Sequence, residues 1–372
     1  MMVEPSLSGR FRATDLSAPW RHVDVILAGA TMGVLVIGSV MVQSATRHLA
    51  GGSAFVGKHL MFIILGVAAS AAVSLVDYRR VLAWWPVVYG GSLALLAGVL
   101  TPLGATVNGT KGWYRLGPVQ LQPAEMAKLG MILAIAAYLG EGDRVDLRRL
   151  AGALALMGGP VLLTLLQPDL GSSLVFIVAG IGMMVVGGVR MRLLVVLVLV
   201  GVVAVVGILN SGQLDQYQKD RLTSFVTPDG QLYNVKQAQI AISSGGLTGY
   251  GLGNGPQTKG GYVPEQQTDF IFTVAGEEFG FLGSALLILL LGVVLWRIWR
   301  IARIAPDPAG TLICVGVMCM FLFHVFENIG MTLGIMPVTG IPLPFVSYGG
   351  SSMLTSFLAV GLVQSVHMHR FV

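Results

Sequence analysis

The strongest constraint on the fold of this chain is its series of long apolar segments. About 20 apolar residues suffice for one membrane crossing. By that criterion we predict spans near residues 23–42, 56–76, 81–101, 123–140, 148–166, 170–189, 191–209, 270–296, 309–333 and 349–366. Charged residues make up only 11% of the chain, against roughly 25% in soluble domains. The sequence therefore predicts an all-α polytopic membrane protein with about ten transmembrane helices.

The positions of the basic residues predict how this bundle is oriented. Cytoplasmic loops carry an excess of lysine and arginine, and most arginines, such as Arg79 and Arg80, fall on the side of the N-terminus. We therefore predict that both termini are cytoplasmic and that the net charge of +5 reflects membrane topology rather than nucleic-acid binding. Residues 1–22 form an N-terminal cytoplasmic segment, and residues 23–370 form one transmembrane domain with a large extracytoplasmic loop at 210–268 between spans 7 and 8.

The second half of this loop allows two interpretations. A helix is predicted near Tyr233–Ile242, followed by a glycine-rich stretch that includes Ser244, Gly245 and Gly246. Such a stretch could cradle a phosphate through its backbone, although neither a strand nor a P-loop lysine accompanies it. The alternative is an amphipathic helix followed by a flexible loop.

Two ionisable residues near the start of the fourth predicted span suggest either a structural or a functional role. Glu125 and Lys128 are three residues apart, a spacing that places both side chains on one helix face and favours an ion pair. The pair could simply anchor the helix. Alternatively, Lys128 could meet an anionic phosphate while Glu125 orients it, because ionisable residues in membrane helices are costly and commonly functional.

A second acidic position lies where the long loop enters the eighth predicted span. Thr268 could cap this helix, with Asp269 in its first turn as a capping acid. Asp269 could instead act as a general base that accepts a proton from a sugar hydroxyl. Glu277 and Glu278 lie about two turns deeper, and at least one of them should point into the bundle and need a partner.

Two further polar groups occur near the C-terminus. His324, Glu327 and Asn328 share one face of the ninth span, where hydrogen bonding between helices is favoured over a proton pathway. The last outside loop combines prolines with Ser347 and Ser351 before a helix begins. Backbone N–H groups in such a loop can bind an anion.

Several chemistries lack their usual motifs in this sequence. P-loop, Rossmann, HExxH and paired CxxC patterns are missing, and Cys314 and Cys319 are expected to be buried unpaired thiols. The sequence thus predicts neither a nucleotide site nor a metal cluster. A sugar donor should then carry its own leaving group, and in a membrane a lipid pyrophosphate fits.

Several motifs together resemble the SEDS family (shape, elongation, division and sporulation), its RodA branch more than its FtsW branch. The resemblance extends from about residue 21 to residue 366. The motifs are Asn108-Gly109 through Trp113, Gln122-Pro123-x-Glu125-x-x-Lys128, Gln167-Pro168-Asp169-Leu170-Gly171, Ser244-Gly245-Gly246-Leu247, Pro264-Glu265-x-x-Thr268-Asp269-Phe270-Ile271-Phe272, Gly276-Glu277-Glu278 and Thr339-Gly340-Ile341-Pro342-Leu343-Pro344 through Ser351.

This resemblance implies a peptidoglycan glycosyltransferase that acts on lipid II at the outer face of the bacterial cytoplasmic membrane. The family's essential aspartate falls on Asp269, which would deprotonate the 4-hydroxyl of the acceptor sugar. Attack on the anomeric carbon would form a β-1,4 linkage with inversion and release undecaprenyl pyrophosphate. Lys128, Arg115 or a divalent cation (Mg²⁺ or Mn²⁺) would offset the charge of this leaving group.

The same resemblance suggests further contacts and partners. Besides Arg115, residues expected to contact substrate are Glu125, Lys128, Lys111, Gln122, Asp169, Ser244, Gly245, Gly246, Glu265, Thr268, Ser347 and Ser351. The implied partners are lipid II with the nascent glycan strand, membrane lipid, and a class B penicillin-binding protein, a transpeptidase, in cell elongation. Two alternatives remain: a lipid II flippase, or a non-catalytic scaffold of a cell-wall complex.

Overall fold

The protein is a bundle of apolar helices with a small sheet at one end. The computed structural model describes residues 22–49, 51–107, 109–117, 119–141, 146–197, 199, 201 and 233–370. The helices of this part of the chain include α1 Val25–Thr46, α2 Gly52–Leu75, α3 Tyr78–Ala83, α4 Trp85–Val99, α5 Pro123–Gly140, α6 Leu147–Leu166, α7 Leu170–Val186, α8 Tyr233–Ser244, α9 Pro256–Gly260, α10 Phe272–Val274, α11 Gly280–Arg303, α12 Pro308–Leu333 and α13 Gly350–Met368. A π-helical turn, Ala275–Phe279, joins α10 to α11.

Six of these helical segments are long and apolar enough to cross a membrane by length and composition. They are α1, α2, α5, α6, the continuous segment Phe272–Arg303 and α12. Helices α4 and α7 are apolar but shorter. The fourth predicted span agrees with α5 at both ends. The end of the predicted seventh span, 202–209, and the start of the long loop, 210–232, lie outside the described residues. The protein is therefore polytopic, while the count of ten spans and the orientation stay predictions.

The third predicted span is divided in two. Helix α3 ends at Ala83, and α4 begins at Trp85 with Pro86 in its first turn. Proline lacks the N–H that a helix interior needs and clashes with the carbonyl four residues before it, whereas the first turn tolerates it. The helix accordingly restarts at this position instead of running through.

A three-stranded antiparallel sheet lies between α4 and α5, so the expectation of an all-α protein is wrong here. Strand β1 (Ala105–Val107) pairs with β2 (Thr110–Leu116), and β2 pairs with β3 (Val119–Leu121). Gly109 supplies the positive φ of 82° that a tight hairpin requires. The β-branched and aromatic residues on either side of it favour strands, but the strands are too short to stand out between two long apolar helices.

Helix α5 forms the centre of the bundle. It packs against α4, α6, α7, α12 and α13, and nearly all of its residues are buried, including Glu125 and Lys128. A helix that is covered on every side is apolar all round apart from groups that find partners inside the protein. Charged residues on α5 are thus shielded from both lipid and water.

Asp24 joins three helices at the end of the bundle opposite the sheet. It caps α1 by accepting from the N–H of Leu27 (2.8 Å), and it forms an ion pair with Arg297 of α11. Gln364 of α13 hydrogen-bonds both the N–H and the C=O of Asp24, each at 3.0 Å. Burial alone would raise the pKa of Asp24, but the hydrogen bonds from Arg297 and Leu27 hold that pKa below its ordinary value of 3.8.

We expect Asp24→Asn to lower the free energy of unfolding by about 3 kcal/mol, because it leaves the Arg297 guanidinium without its partner in a largely buried place. Asparagine still caps α1, so the change isolates the charge. Thermal unfolding in detergent measures the effect. Asp77→Asn is the matched control, since Asp77 also caps a helix but its ion pair with Arg79 is long, at 3.7 Å, and partly exposed.

The lowered pKa of Asp24 also determines how its contribution to stability depends on pH. A carboxyl whose pKa is lower in the folded state contributes stability that is fully present above its unfolded value and is lost as the pH falls through the folded value. The difference in stability between wild type and Asp24→Asn should therefore be constant from neutral pH down to about 5 and shrink below 3.8. A difference that shrank between pH 8 and 6 would contradict this assignment.

Candidate active site

A compact turn positions Asp269 at the sheet end of the bundle. The N–H groups of Thr268, Asp269 and Phe270 all point at the C=O of Glu265, at 3.1–3.3 Å. Glu265 has a φ of 52°, an uncommon conformation for a residue with a side chain. The helix begins only at Phe272, without a side-chain cap. The prediction that Thr268 caps this helix and Asp269 occupies its first turn is therefore wrong, and the capping role does not account for Asp269.

The Asp269 turn forms one wall of a cavity of about 270 Å³. The other walls come from segments that are far apart in sequence: the sheet, the residues before α5, the cap of α7, and the two ends of the last loop. The lining residues are Val107, Thr110, Trp113, Gln120, Gln122, Asp169, Glu265, Thr268, Asp269, Thr339, Gly340, Pro342, Tyr348, Gly349, Gly350, Ser351 and Ser352. This cavity therefore brings together six of the predicted site residues.

Two hydrogen bonds tie the Asp269 turn to the last loop and to α12. The N–H of Tyr348 donates to the C=O of Gln267 at 2.8 Å. The side-chain amide of Asn328 donates to the C=O of Asp269, also at 2.8 Å. On the cavity side, Gly340 leaves room for the carboxylate, because a Cβ at this position would lie 3.2 Å from Oδ2 of Asp269. Asp269 is half-buried and faces the cavity.

A second polar network connects the opposite wall. Asp169 caps α7 by accepting from the N–H and hydroxyl of Ser172, at 2.9 and 2.8 Å. Gln122 Nε2 donates to Oδ2 of Asp169 at 3.2 Å, and the N–H of Gln122 donates to Ser351 Oγ at 3.0 Å. Three predicted site residues thus share one network. Because Asp169 is itself the cap, α7 begins at Leu170 and Pro168 precedes the helix.

The predicted ion pair of Glu125 and Lys128 is confirmed, and it has a third member. Lys128 Nζ donates to Glu125 Oε1 at 2.7 Å and lies 3.0 Å from His324 Nε2. His324 Nδ1 lies 2.8 Å from the C=O of Met320. A carbonyl can only accept, so Nδ1 carries the ring proton and Nε2 accepts from Lys128. Lys128 is 2% exposed and is not among the residues lining the cavity.

Both glutamates of the π-helical turn are buried and partnered, which confirms that prediction. Glu277 accepts from the N–H of Gln257 (2.6 Å) and from the N–H and hydroxyl of Thr258 (3.0 and 2.6 Å). Glu278 accepts from Ser44 Oγ at 2.6 Å. Gln266 in turn donates to Thr258 Oγ1 at 3.0 Å. Glu277 thus supports, through Thr258, the loop that leads into the Asp269 turn.

The glycine-rich stretch packs on this π-helical turn and not on the cavity. A Cβ on Gly245 would lie 2.0 Å from the C=O of Gly276, and Gly246 has a φ of 56°. Ser244 donates its hydroxyl to the C=O of Ala241 at 2.8 Å, within the last turn of α8. Close backbone packing therefore explains the glycines, and the structure keeps Ser244, Gly245 and Gly246 apart from the cavity lining.

Three other predicted contacts also lie elsewhere. Lys111 Nζ donates to the C=O of Leu100 at 2.9 Å. Arg115 pairs with Gln120 in the sheet, and its side chain is exposed. Ser347 is buried, and its hydroxyl accepts from the N–H of Leu343 at 2.8 Å, which shapes the last loop. Among the described residues, the cavity lining therefore holds three carboxylates and neither lysine nor arginine.

The carboxylates in the lining do not form a metal site by themselves. Asp169, Glu265 and Asp269 all contact the cavity, but within the described ranges no three His, Cys, Asp or Glu side chains are grouped closely enough to hold an ion. Tight divalent sites need several oxygen ligands at about 2.0–2.6 Å. The residues described here thus do not fit a metal held by the protein alone.

Sequence reasoning missed the contribution of the sheet and of α12. Trp113 and Gln120 reach the cavity because the strands fold back over it. The turn-forming pair Asn108-Gly109 was the signal for these strands in the sequence. Asn328 was noted for its position on a helix face, but its contact with Asp269 depends on tertiary packing.

Comparison with known proteins assigns the chain to a family. The FtsW/RodA/SpoVE family model, described as a cell cycle protein, matches residues 21–371. The chain is 38% identical over 356 residues to stage V sporulation protein E of Bacillus subtilis, covering 92% of this chain and 96% of that protein. It is 34% identical over 355 residues to peptidoglycan glycosyltransferase MrdB of Escherichia coli, covering 94% of each.

Solved structures agree with the sequence comparisons. A chain in the structure "Structural coordination of polymerization and crosslinking by a peptidoglycan synthase complex" has a TM-score of 0.79 and 32% identity, covering 94% of this chain and 98% of that one. The rod shape determining protein RodA of Thermus thermophilus has a TM-score of 0.73 and 31% identity, covering 95% and 99%. This chain belongs to the FtsW/RodA/SpoVE family, the SEDS family that its motifs resemble.

Proposed function

We propose that this chain is a peptidoglycan glycosyltransferase that polymerises lipid II into glycan strands at the outer face of the cytoplasmic membrane, for cell elongation and shape. Curated relatives named peptidoglycan glycosyltransferase support the activity. The observation that carries the site assignment is Asp269, a carboxylate fixed by a turn and facing a cavity built from five separate segments.

In this proposal Asp269 is the general base. Its carboxylate accepts the proton of the 4-hydroxyl on the acceptor sugar as that oxygen bonds to the anomeric carbon of the donor. The bond from the anomeric carbon to the pyrophosphate oxygen breaks, and undecaprenyl pyrophosphate leaves with the electron pair. The acceptor oxygen attacks the face of the sugar opposite the leaving group. This single displacement inverts the anomeric carbon, so an α-linked donor gives a β-1,4 product.

The immobility of Asp269 supports this role. A general base must lie within hydrogen-bond reach of the proton that it accepts, and a misplacement of 1 Å can cost about 100-fold in rate. Hydrogen bonds to the C=O groups of Glu265, Gln267 and Asp269 hold the backbone that carries the carboxylate. Asp169 and Gln122 also line the cavity, where the Asp169 carboxylate can accept from a sugar hydroxyl.

The buried polar groups favour an enzyme over a flippase. A transporter for a charged headgroup needs polar groups that can serve it from one face of the membrane to the other. The deeper groups described here make contacts within the protein: His324 with Lys128 and Met320, and Glu327 Oε1 with the hydroxyl of Thr339 at 2.9 Å, while Glu327 Oε2 has no hydrogen-bond partner among the described residues. The cavity lined by polar groups lies at the sheet end.

We also propose a class B penicillin-binding protein as the partner. The similar chain in the peptidoglycan synthase complex belongs to an assembly described as coordinating polymerization and crosslinking. A transpeptidase beside the cavity would receive the glycan strand as it forms. The proposed assay therefore includes such a partner protein.

Asp269→Asn and Asp269→Ala should each lower the rate of polymerisation at least about 100-fold, because both remove the base without adding a charge. Purified protein with its transpeptidase and labelled lipid II measures glycan length on gels. Asp146→Asn is the matched control: Asp146 caps α6 outside the cavity lining, and asparagine preserves the cap. Full activity in Asp269→Ala would refute the base assignment, and lipid II translocation without polymer in wild type would favour a flippase.

Lys128 is the proposed counter-charge, acting from beneath the cavity on the negative charge of the leaving group. Lys128→Met alone should cost about 3–5 kcal/mol in unfolding, because Glu125 is left as a buried unpaired charge. The double variant Glu125→Leu, Lys128→Met should recover most of that stability. We expect the double variant to fold yet remain inactive in the glycan assay; if it regains activity together with stability, the pair is purely structural.

A further inference from the structure

Asn328 is a buried amide that contacts the backbone of the Asp269 turn and of the last loop. Its side chain lies in α12 and is 0% exposed. Nδ2 donates to the C=O of Asp269 and to the C=O of Ile341, both at 2.8 Å. We propose that Asn328 is a positioning residue that fixes the Asp269 carboxylate in the cavity by clamping these two segments together, an inference that rests on the proposed function.

The chemistry of the two partners requires an amide nitrogen at this place. Both partners are carbonyl oxygens, which only accept, so a single atom must donate twice. The NH₂ group of asparagine has two N–H bonds and meets this demand. An aspartate of the same shape would place an oxygen against two carbonyl oxygens, and an aliphatic side chain would leave both carbonyls without this donor in a buried place, at about 1–3 kcal/mol each.

The two hydrogen bonds from Asn328, called the clamp below, affect the position of the Asp269 carboxylate through the backbone. Ile341 stands between Gly340 and Pro342, which both line the cavity. Gly340 has a φ of 73° and approaches Asp269 so closely that a Cβ would lie 3.2 Å from Oδ2. Fixing the carbonyls of Asp269 and Ile341 on one nitrogen therefore sets the distance between the carboxylate and the Gly340 wall.

Other contacts keep the segments attached if the clamp is lost. The Asp269 turn retains its three N–H bonds to Glu265, and Gln267 retains its bond from Tyr348. The last loop retains the bond between Ser347 and Leu343. Removal of the amide should consequently loosen the carboxylate without opening the cavity, so the rate of the chemical step should suffer more than substrate binding.

The test uses Asn328→Leu, which removes the donor and keeps the number of side-chain heavy atoms, and Asn328→Asp, which keeps the shape and replaces the donor with an acceptor. Full-length protein with its transpeptidase is assayed on labelled lipid II for kcat and KM, and its thermal unfolding is measured. We expect kcat to fall about 100-fold in both variants while KM changes less than about 3-fold.

A matched control separates this role from a general loss of packing. Gln239 of α8 also donates an amide N–H to a carbonyl on α12, that of Leu333 at 2.9 Å, but it is not part of the cavity lining. Gln239→Leu should leave kcat and KM at wild-type values. A fall in kcat equal to that of Asn328→Leu would mean that the loss of any amide hydrogen bond involving α12 has the same effect, which contradicts the proposal.

The remaining outcomes are also decisive. Unchanged kcat in Asn328→Leu, or a raised KM with unchanged kcat, would overturn the positioning role. Loss of folded protein in both variants would assign Asn328 a purely structural role and would equally overturn it. Absence of polymer from wild-type protein would instead refute the proposed function, so the two failures are distinguishable.

Discussion

The structure depends on the requirement that backbone groups inside a membrane find hydrogen-bond partners within the protein. Helices satisfy this requirement by themselves, whereas irregular backbone is tolerated only where protein or a cavity surrounds it. The β-strands, the Asp269 turn and the last loop all gather at one end of the bundle and line one cavity. The place where the chain departs from helix is therefore also the place where it can bind a polar substrate.

Buried polar side chains make this irregular end possible. Asn328 satisfies two loop carbonyls, Glu277 satisfies two loop N–H groups, and Gln167 donates to the C=O of Leu96 at 2.8 Å. Each of them gives a partner to backbone groups that lack one within their own element. Because a buried polar group without a partner is costly, these contacts define a single arrangement of the loops, and the geometry of the cavity follows from it.

Acidic and basic side chains near the site also lie in different places. The carboxylates of Asp169, Glu265 and Asp269 face the cavity, while Lys128 is enclosed with Glu125 and His324 in the centre of the bundle. A charge in such a low-dielectric place acts over a longer range than one in water. In the proposed reaction the acids thus work at the sugar hydroxyls, and the lysine works through the protein interior.

The sequence by itself determined the features that depend only on residues close together in the chain. Apolar length predicted helices such as α5, and the spacing of Glu125 and Lys128 predicted their ion pair. The family motifs singled out Asp269. The break before α4 and the sheet were missed, although Pro86 and Asn108-Gly109 signalled them.

Tertiary structure decided which distant residues meet. His324 joins Lys128 across 196 positions, and Asn328 reaches Asp269 across 59. The glycine-rich stretch went to the π-helical turn instead of the cavity because Gly245 permits a close backbone approach there. Helix periodicity and pair spacing are properties of neighbouring residues, whereas these contacts depend on how complete helices pack, which no local pattern encodes.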